Sequence, residues 1–247
     1  MSISSIADRK KESNKVIGKI EDIAIKTKKL TQKLKKDAID EALKQNEKNK
    51  PYTASILTAK AVDGKMKKII NSNKKSFDDF IKDTERYLSK NYSIDLTKND
   101  LAAIARKRSL VLDDLAVNTN ILAQDLKEIM TRNLSKGMTT RELSKNLADL
   151  YPAFERNAET IVRTGLGRTF SDINVSKFQQ LKFNWYIWSG PNDAVTRERP
   201  CKSFVNKKFK AERLPELSSI RQSLYNCRHA IIPITDEEAD NYEEGNI

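Results

Sequence analysis

The chain has 247 residues, 38% of them apolar, which is enough for a substantial core and excludes a disordered polypeptide. With 32% charged residues but only seven glycines and six prolines, it is too poor in turn formers for a large β protein and reads as helix-rich. The formal charge is +12, and Asp236, Glu237, Glu238, Asp240, Glu243 and Glu244 crowd the last stretch, so the first 234 residues carry +18.

Such a surplus attracts phosphate backbones through counterion release, which makes nucleic acid an expected neighbour. The other reading is that lysines keep long helices soluble, since Glu and Asp are interleaved with Lys almost everywhere. Two cysteines and no apolar leader-like run at the N-terminus lead to the expectation of a reducing, cytosolic setting. No apolar stretch approaches the roughly 20 residues that cross a bilayer, so no membrane span is expected.

The first helix is expected from about Ile6 to Lys48, where Val16, Ile20, Ile23, Leu30, Leu34 and Ala38 recur in steps of three, four and seven, with Thr27 a polar interruption. So narrow a stripe over residues 1–50 suits a coiled-coil or partner-binding arm, or a helix folded back on its own domain. Pro51 closes it and opens a helical body over 51–136. That body is expected to hold a helix from Ile56 to Ile70, a polar break at Asn71–Ser76, and a helix from Phe77 to Leu88. Thr97 with Asp100 forms a capping box for a long helix through Leu101, Ile104, Leu115, Leu126 and Leu134, bent or broken near Asn118–Asn120 and stopped at Gly137.

A second capping box, Thr139 with Glu142, opens a short helix with Leu143, Leu147 and Leu150 on one side, ended by Pro152. Another helix covers Phe154 to Leu181. Beyond it the period changes: Phe183, Trp185 and Ile187 alternate with Asn184, Tyr186 and Trp188, as in a strand. Gly190-Pro191-Asn192-Asp193 reads as a turn, and Ala230–Ile234 as a strand able to pair with the first. The expected fold is mainly α: an elongated helical body, a small C-terminal α+β cap from about residue 182, and an acidic tail over 235–247. Trp185, Tyr186 and Trp188 are read as the core of that cap, with stacking on exposed bases as the alternative.

Several pieces of the second half occur in a telling order. Gly137-Met138-Thr139-Thr140 precedes the short helix, and an Arg-Thr helix follows with Arg163 and Thr164. The aromatic strand then leads into Asp193-Ala194-Val195-Thr196-Arg197, and Asn226-Cys227-Arg228-His229 precedes the last apolar run. Over residues 137–234 this series resembles the shared region of phage Mu protein F-like minor head proteins, a phage head morphogenesis family. Cys201 and Asn206 stand where members commonly show His or Cys and then Gly, and the ending is Cys-Arg-His where many have Cys-Arg-Cys.

The resemblance implies a structural and assembly role in a tailed bacteriophage rather than an enzyme, with no cofactor. Its location would be the head interior of the virion, and the host cytoplasm during assembly. Its partners would be the portal protein, the capsid or scaffold interior and, non-specifically, packaged double-stranded DNA. The motif residues carried over are Arg163 and Thr164 of the Arg-Thr helix, and Asp193, Thr196, Arg197, Cys201, Asn226, Cys227, Arg228 and His229 of the cap.

Cys201, Cys227 and His229 are the chain's only Cys and His residues, and the resemblance implies that they lie near one another. Thiolates and imidazole are good zinc ligands, but a structural site takes four, so Asp193 or a neighbour would have to complete the shell. Cys227 and His229, two apart, project to the same side of an extended segment. A disulfide, a triad of Cys201 or Cys227 with His229 and Asp193, and a metal-independent nuclease using His229, Arg197 and Arg228 are the other readings. The reading adopted assigns no catalytic residue: the cluster holds the cap together, and Arg197 and Arg228 each pair with a carboxylate such as Asp193.

Overall fold

The structure is a computed structural model that describes residues 3–48, 51–136 and 139–246. The elements run α1 (Ile6–Lys48), α2 (Pro51–Tyr92), α3 (Lys98–Lys136), α4 (Thr140–Ala148), α5 (Phe154–Gln180), β1 (Trp185–Ser189), β2 (Lys208–Lys210), α6 (Leu214–Ser223), β3 (Ala230–Ile234) and α7 (Asp236–Ala239). The protein is therefore mainly α with a small C-terminal α+β cap, as the composition and the change of period require. Both capping boxes form: the Thr139 hydroxyl accepts from the Glu142 amide and the Glu142 carboxylate from the Thr139 amide, and Thr97 and Asp100 do the same. The expected stop at Gly137, with the Gly137-Met138 piece, lies outside the described residues.

Neither place where an interruption was expected shows a break in the helix. Asn71–Ser76 continues α2 without interruption, and Asn118–Asn120 lies inside an unbroken α3. Both stretches lack Gly and Pro, and their key polar residues fall on the buried stripe. Asn73 continues the run Met66, Ile69, Phe77, Phe80, while Asn118 and Thr119 continue Val111, Leu115, Leu122, Leu126. A buried hydroxyl or amide is tolerated inside a helix where its side chain finds partners that leave the backbone ladder intact. Here the Thr119 hydroxyl donates to the Leu115 carbonyl at 3.0 Å, and the Asn118 amide donates to the Phe154 carbonyl at 3.1 Å.

The chain forms two compact units. One comprises Met1–Asp22, Phe77–Arg108 and Arg163–Ile247, the other Ile23–Ser76 and Ser109–Val162. Within the second unit, the buried Thr27 hydroxyl of α1 sits 2.8 Å from the Ile23 carbonyl and 2.7 Å from the Asn73 side chain of α2. The apolar stripe of α1 is buried inside the chain itself at Val16, Ile20, Ile23, Leu34 and Ala38, which is the folded-back reading rather than the free arm. Among the described residues no helix is long and apolar enough to cross a membrane.

The first unit carries the cap. Its sheet has the order β2-β1-β3, with β1 antiparallel to both neighbours and Ile187 opposite Ile232. One face packs Ile187, Ile232, Ile234 and Ala239 with Trp185, Ile6 and Tyr242. On the other, Tyr186 and Trp188 are buried, the Tyr186 hydroxyl donates to the Phe178 carbonyl of α5 at 3.2 Å, and Trp188 meets Phe204 edge-on. Tyr186 and Trp188 are thus core residues and unavailable for stacking on bases. Although acidic, the segment after Thr235 is folded in. Thr235 and Glu238 form a third capping box, the fully buried Arg9 pairs with Glu238 and donates to the Pro233 carbonyl, and the Gly245 amide bonds Lys208 at 2.9 Å.

Candidate functional site

The segment leaving β1 turns at Gly190. Ser189 pairs with Ala230 at the end of the ladder, so Gly190 lies beside His229. A Cβ there would stand 2.5 Å from the His229 ring and 2.8 Å from the Arg228 carbonyl, closer than real atoms approach, so this position requires glycine. In the turn that follows, the Thr196 hydroxyl bonds Asp193 Oδ1 at 2.8 Å and the Pro191 carbonyl at 3.0 Å, while the Asp193 amide approaches the same hydroxyl at 3.1 Å. Asp193 is thereby held for a two-pronged pair with Arg228, at 3.0 and 2.6 Å. The Arg228 hydrogen bonds, followed by that from Thr196, keep the Asp193 carboxyl well below the usual carboxylate range.

The Arg-Thr helix reaches the same place. Thr164 of α5 accepts the Asn226 amide at 3.1 Å, and Arg163 donates to the Asn226 side chain at 3.3 Å while holding Glu21 of α1 through two bonds of 2.9 Å. Asn226 has a positive φ of 54° and Asn206 one of 59°, a conformation Asn tolerates better than most side chains. Arg197 does not pair with a carboxylate as expected. Its guanidinium donates to the Tyr225 carbonyl at 3.1 Å, which ties the Asp193 turn to the Asn226 turn from a second side. Apart from Cys201, which follows in the Glu198–Lys202 turn, the motif residues carried over from the sequence thus lie in one interlocked patch of α5, the Asp193–Arg197 turn and the segment before β3.

At its centre, Cys201, Cys227 and His229 bring their ligand-type atoms within 4.8 Å of one another. Both cysteines are free and buried, Cys227 Sγ lies 3.6 Å from His229 Nδ1, and a cavity of about 100 Å³ adjoins them. The other ring nitrogen, Nε2, is 2.9 Å from the Pro191 carbonyl. A carbonyl only accepts, so Nε2 carries a hydrogen, and Nδ1 is the ring nitrogen that faces Cys227. The hydrogen bond from Cys201 lowers the Cys227 thiol; burial opposes this, and His229 and Arg221 add to the lowering. The same bond, with burial, raises Cys201.

Asp193 is engaged with Arg228 and makes no bond to His229, whose orienting partner is the Pro191 carbonyl. The triad order of nucleophile, imidazole and carboxylate is therefore not the arrangement present. Nor does Asp193 complete a ligand set: the grouped residues are the two cysteines and the histidine alone.

Two supports were not foreseen from sequence. Arg221 of α6 is buried and donates to the His229 carbonyl at 2.9 Å and the Cys227 carbonyl at 3.1 Å, fixing the backbone on both sides of Arg228. Gly167 of α5 makes room for it, since a Cβ there would lie 2.7 Å from the Arg221 guanidinium. An arginine on a short helix ordinarily reads as solvated surface, so nothing in the pattern marked Arg221. Comparison with protein-family models, with curated proteins and with solved structures finds no match to this chain.

Proposed function

We propose that the protein is a minor head protein of a tailed bacteriophage, acting in assembly at the capsid interior near the portal and lying against packaged DNA. The observation that carries this reading is the convergence of the motif pieces that resemble the Mu protein F-like region. Arg163 and Thr164, the Asp193–Arg197 turn and Asn226–His229 are separated by tens of residues, yet they bond directly to one another. Pieces matched only by chance have no reason to interlock. A body carrying +18 outside its acidic last stretch fits a place beside DNA or another acidic surface.

The geometry favours assembly over catalysis for these residues. Asp193, Arg197 and Arg228 engage neighbours within the cap and His229 commits Nε2 to the Pro191 carbonyl, as fasteners do. The decisive experiment co-expresses the full chain with the portal protein and scaffold of its own genome and isolates portal complexes. Co-purification with portal or with assembling heads is expected. A chain that stays apart from both, or that cleaves DNA or RNA in a manner abolished by His229→Ala, overturns the reading in favour of a nuclease.

A further inference from the structure

We infer that Cys201, Cys227 and His229 bind a zinc ion through two sulfurs and the imidazole Nδ1, with water from the adjoining cavity as the fourth ligand. The spacing is the first argument. Zinc bonds of about 2.3 Å to sulfur and 2.0–2.1 Å to nitrogen in a tetrahedron set neighbouring ligand atoms roughly 3.5–3.8 Å apart. Cys227 Sγ and His229 Nδ1 are 3.6 Å apart, and all three ligand atoms fall within 4.8 Å. The site needs only a small closure around the ion.

The second argument is the orientation of the imidazole. A ligating histidine normally gives its other N–H to a carbonyl or carboxylate, which fixes the tautomer. His229 Nε2 does so to the Pro191 carbonyl, leaving Nδ1 aimed at the sulfur. Nδ1 is thereby placed to share an ion with the two sulfurs. Arg221 secures the carbonyls of Cys227 and His229, so two of the three ligands are held in place by the fold.

The donor set selects the metal. Two sulfurs and one nitrogen suit a borderline-soft ion such as zinc and exclude magnesium and calcium, which take oxygen. Two thiolates balance the dication, so the bound site is neutral. The cavity beside the cluster supplies room for the fourth ligand as water. The ion would tie the turn at Cys201 to the segment before β3, and this holds whether or not the chain works in a phage head.

The test uses the full chain, produced with zinc in the medium, desalted and assayed for metal, then stripped and titrated with cobalt. Stoichiometric zinc is expected, and the cobalt form should show thiolate-to-metal charge-transfer absorption. The chain has only two cysteines, so that band in the wild-type protein identifies its ligands even where variants fail to fold. His229→Ala should weaken binding by at least about tenfold, Cys227→Ser should diminish the band, and Asp193→Asn should retain the metal. A folded wild-type protein with no metal and no band overturns the inference, as does a band unchanged in Cys227→Ser. A native mass two hydrogens light, marking a Cys201–Cys227 disulfide, overturns it equally.

Discussion

Gly190 and Gly18 put the same substitution in opposite surroundings. At Gly190 a Cβ collides with His229 and with the Arg228 backbone, so Gly190→Ala should destabilise the protein by about 1–3 kcal/mol and displace His229. Gly18 sits exposed in α1 with nothing within 4 Å of its Cβ position, so Gly18→Ala should stabilise by up to about 1 kcal/mol. Denaturant unfolding of both variants checks the pair. The turn at Gly190 was legible from Gly-Pro chemistry, whereas the reason for glycine there was not, because it depends on a strand forty residues away. Arg197 illustrates the same limit: its type and place in the motif were readable, but its partner is a backbone carbonyl, which no sequence pattern marks.

At the scale of the element, the helices were legible by their caps and misread by their polar core positions. Thr97 and Thr139 announced α3 and α4 through short-range chemistry that needs no tertiary context, and Thr139→Ala should cost about 1 kcal/mol in thermal or denaturant unfolding. Asn73, Asn118 and Thr119 looked like breaks, since a lone sequence cannot show that a buried amide or hydroxyl will find a partner. Asn118 and Thr119 find partners in Phe154 and Leu115, and the Asn73 oxygen accepts from Thr27. Strand β2 and helix α6 escaped notice because three residues carry too little period, and the helix has few apolar positions.

The Arg9–Glu238 pair ties α1 to α7 and shows how the acidic segment is used. Glu238→Gln leaves a wholly buried guanidinium without its counter-charge, and a loss of about 3–5 kcal/mol is expected in denaturant unfolding. Burial raises the Glu238 carboxyl, but the bonds from Arg9 and the Thr235 amide outweigh it and leave the group below its usual value. Asp100 behaves alike: burial is opposed by Lys177 and Thr97, with a net lowering. A folded value below the unfolded one contributes stability that is complete above the ordinary carboxylate range and lost as pH falls through it. Unfolding free energy should therefore hold steady from neutrality to about pH 5 and decline below; a profile that stays flat in acid would contradict these pairings.

For the whole molecule, composition foretold a mainly helical chain and the change of period after Leu181 a small mixed cap, whereas the two compact units were not readable because each gathers segments far apart in sequence. If the basic surplus serves DNA contact, retention of the full chain on double-stranded DNA should fall steeply and linearly in log–log form as salt rises, whatever the base sequence. The most direct test of the proposed phage-head role is quantitative mass spectrometry of any heads assembled from the genome that encodes this chain. The proposed function predicts the protein in those heads, in a few copies beside the portal; heads that assemble and package DNA without it, while it accumulates free in the cell, would contradict it.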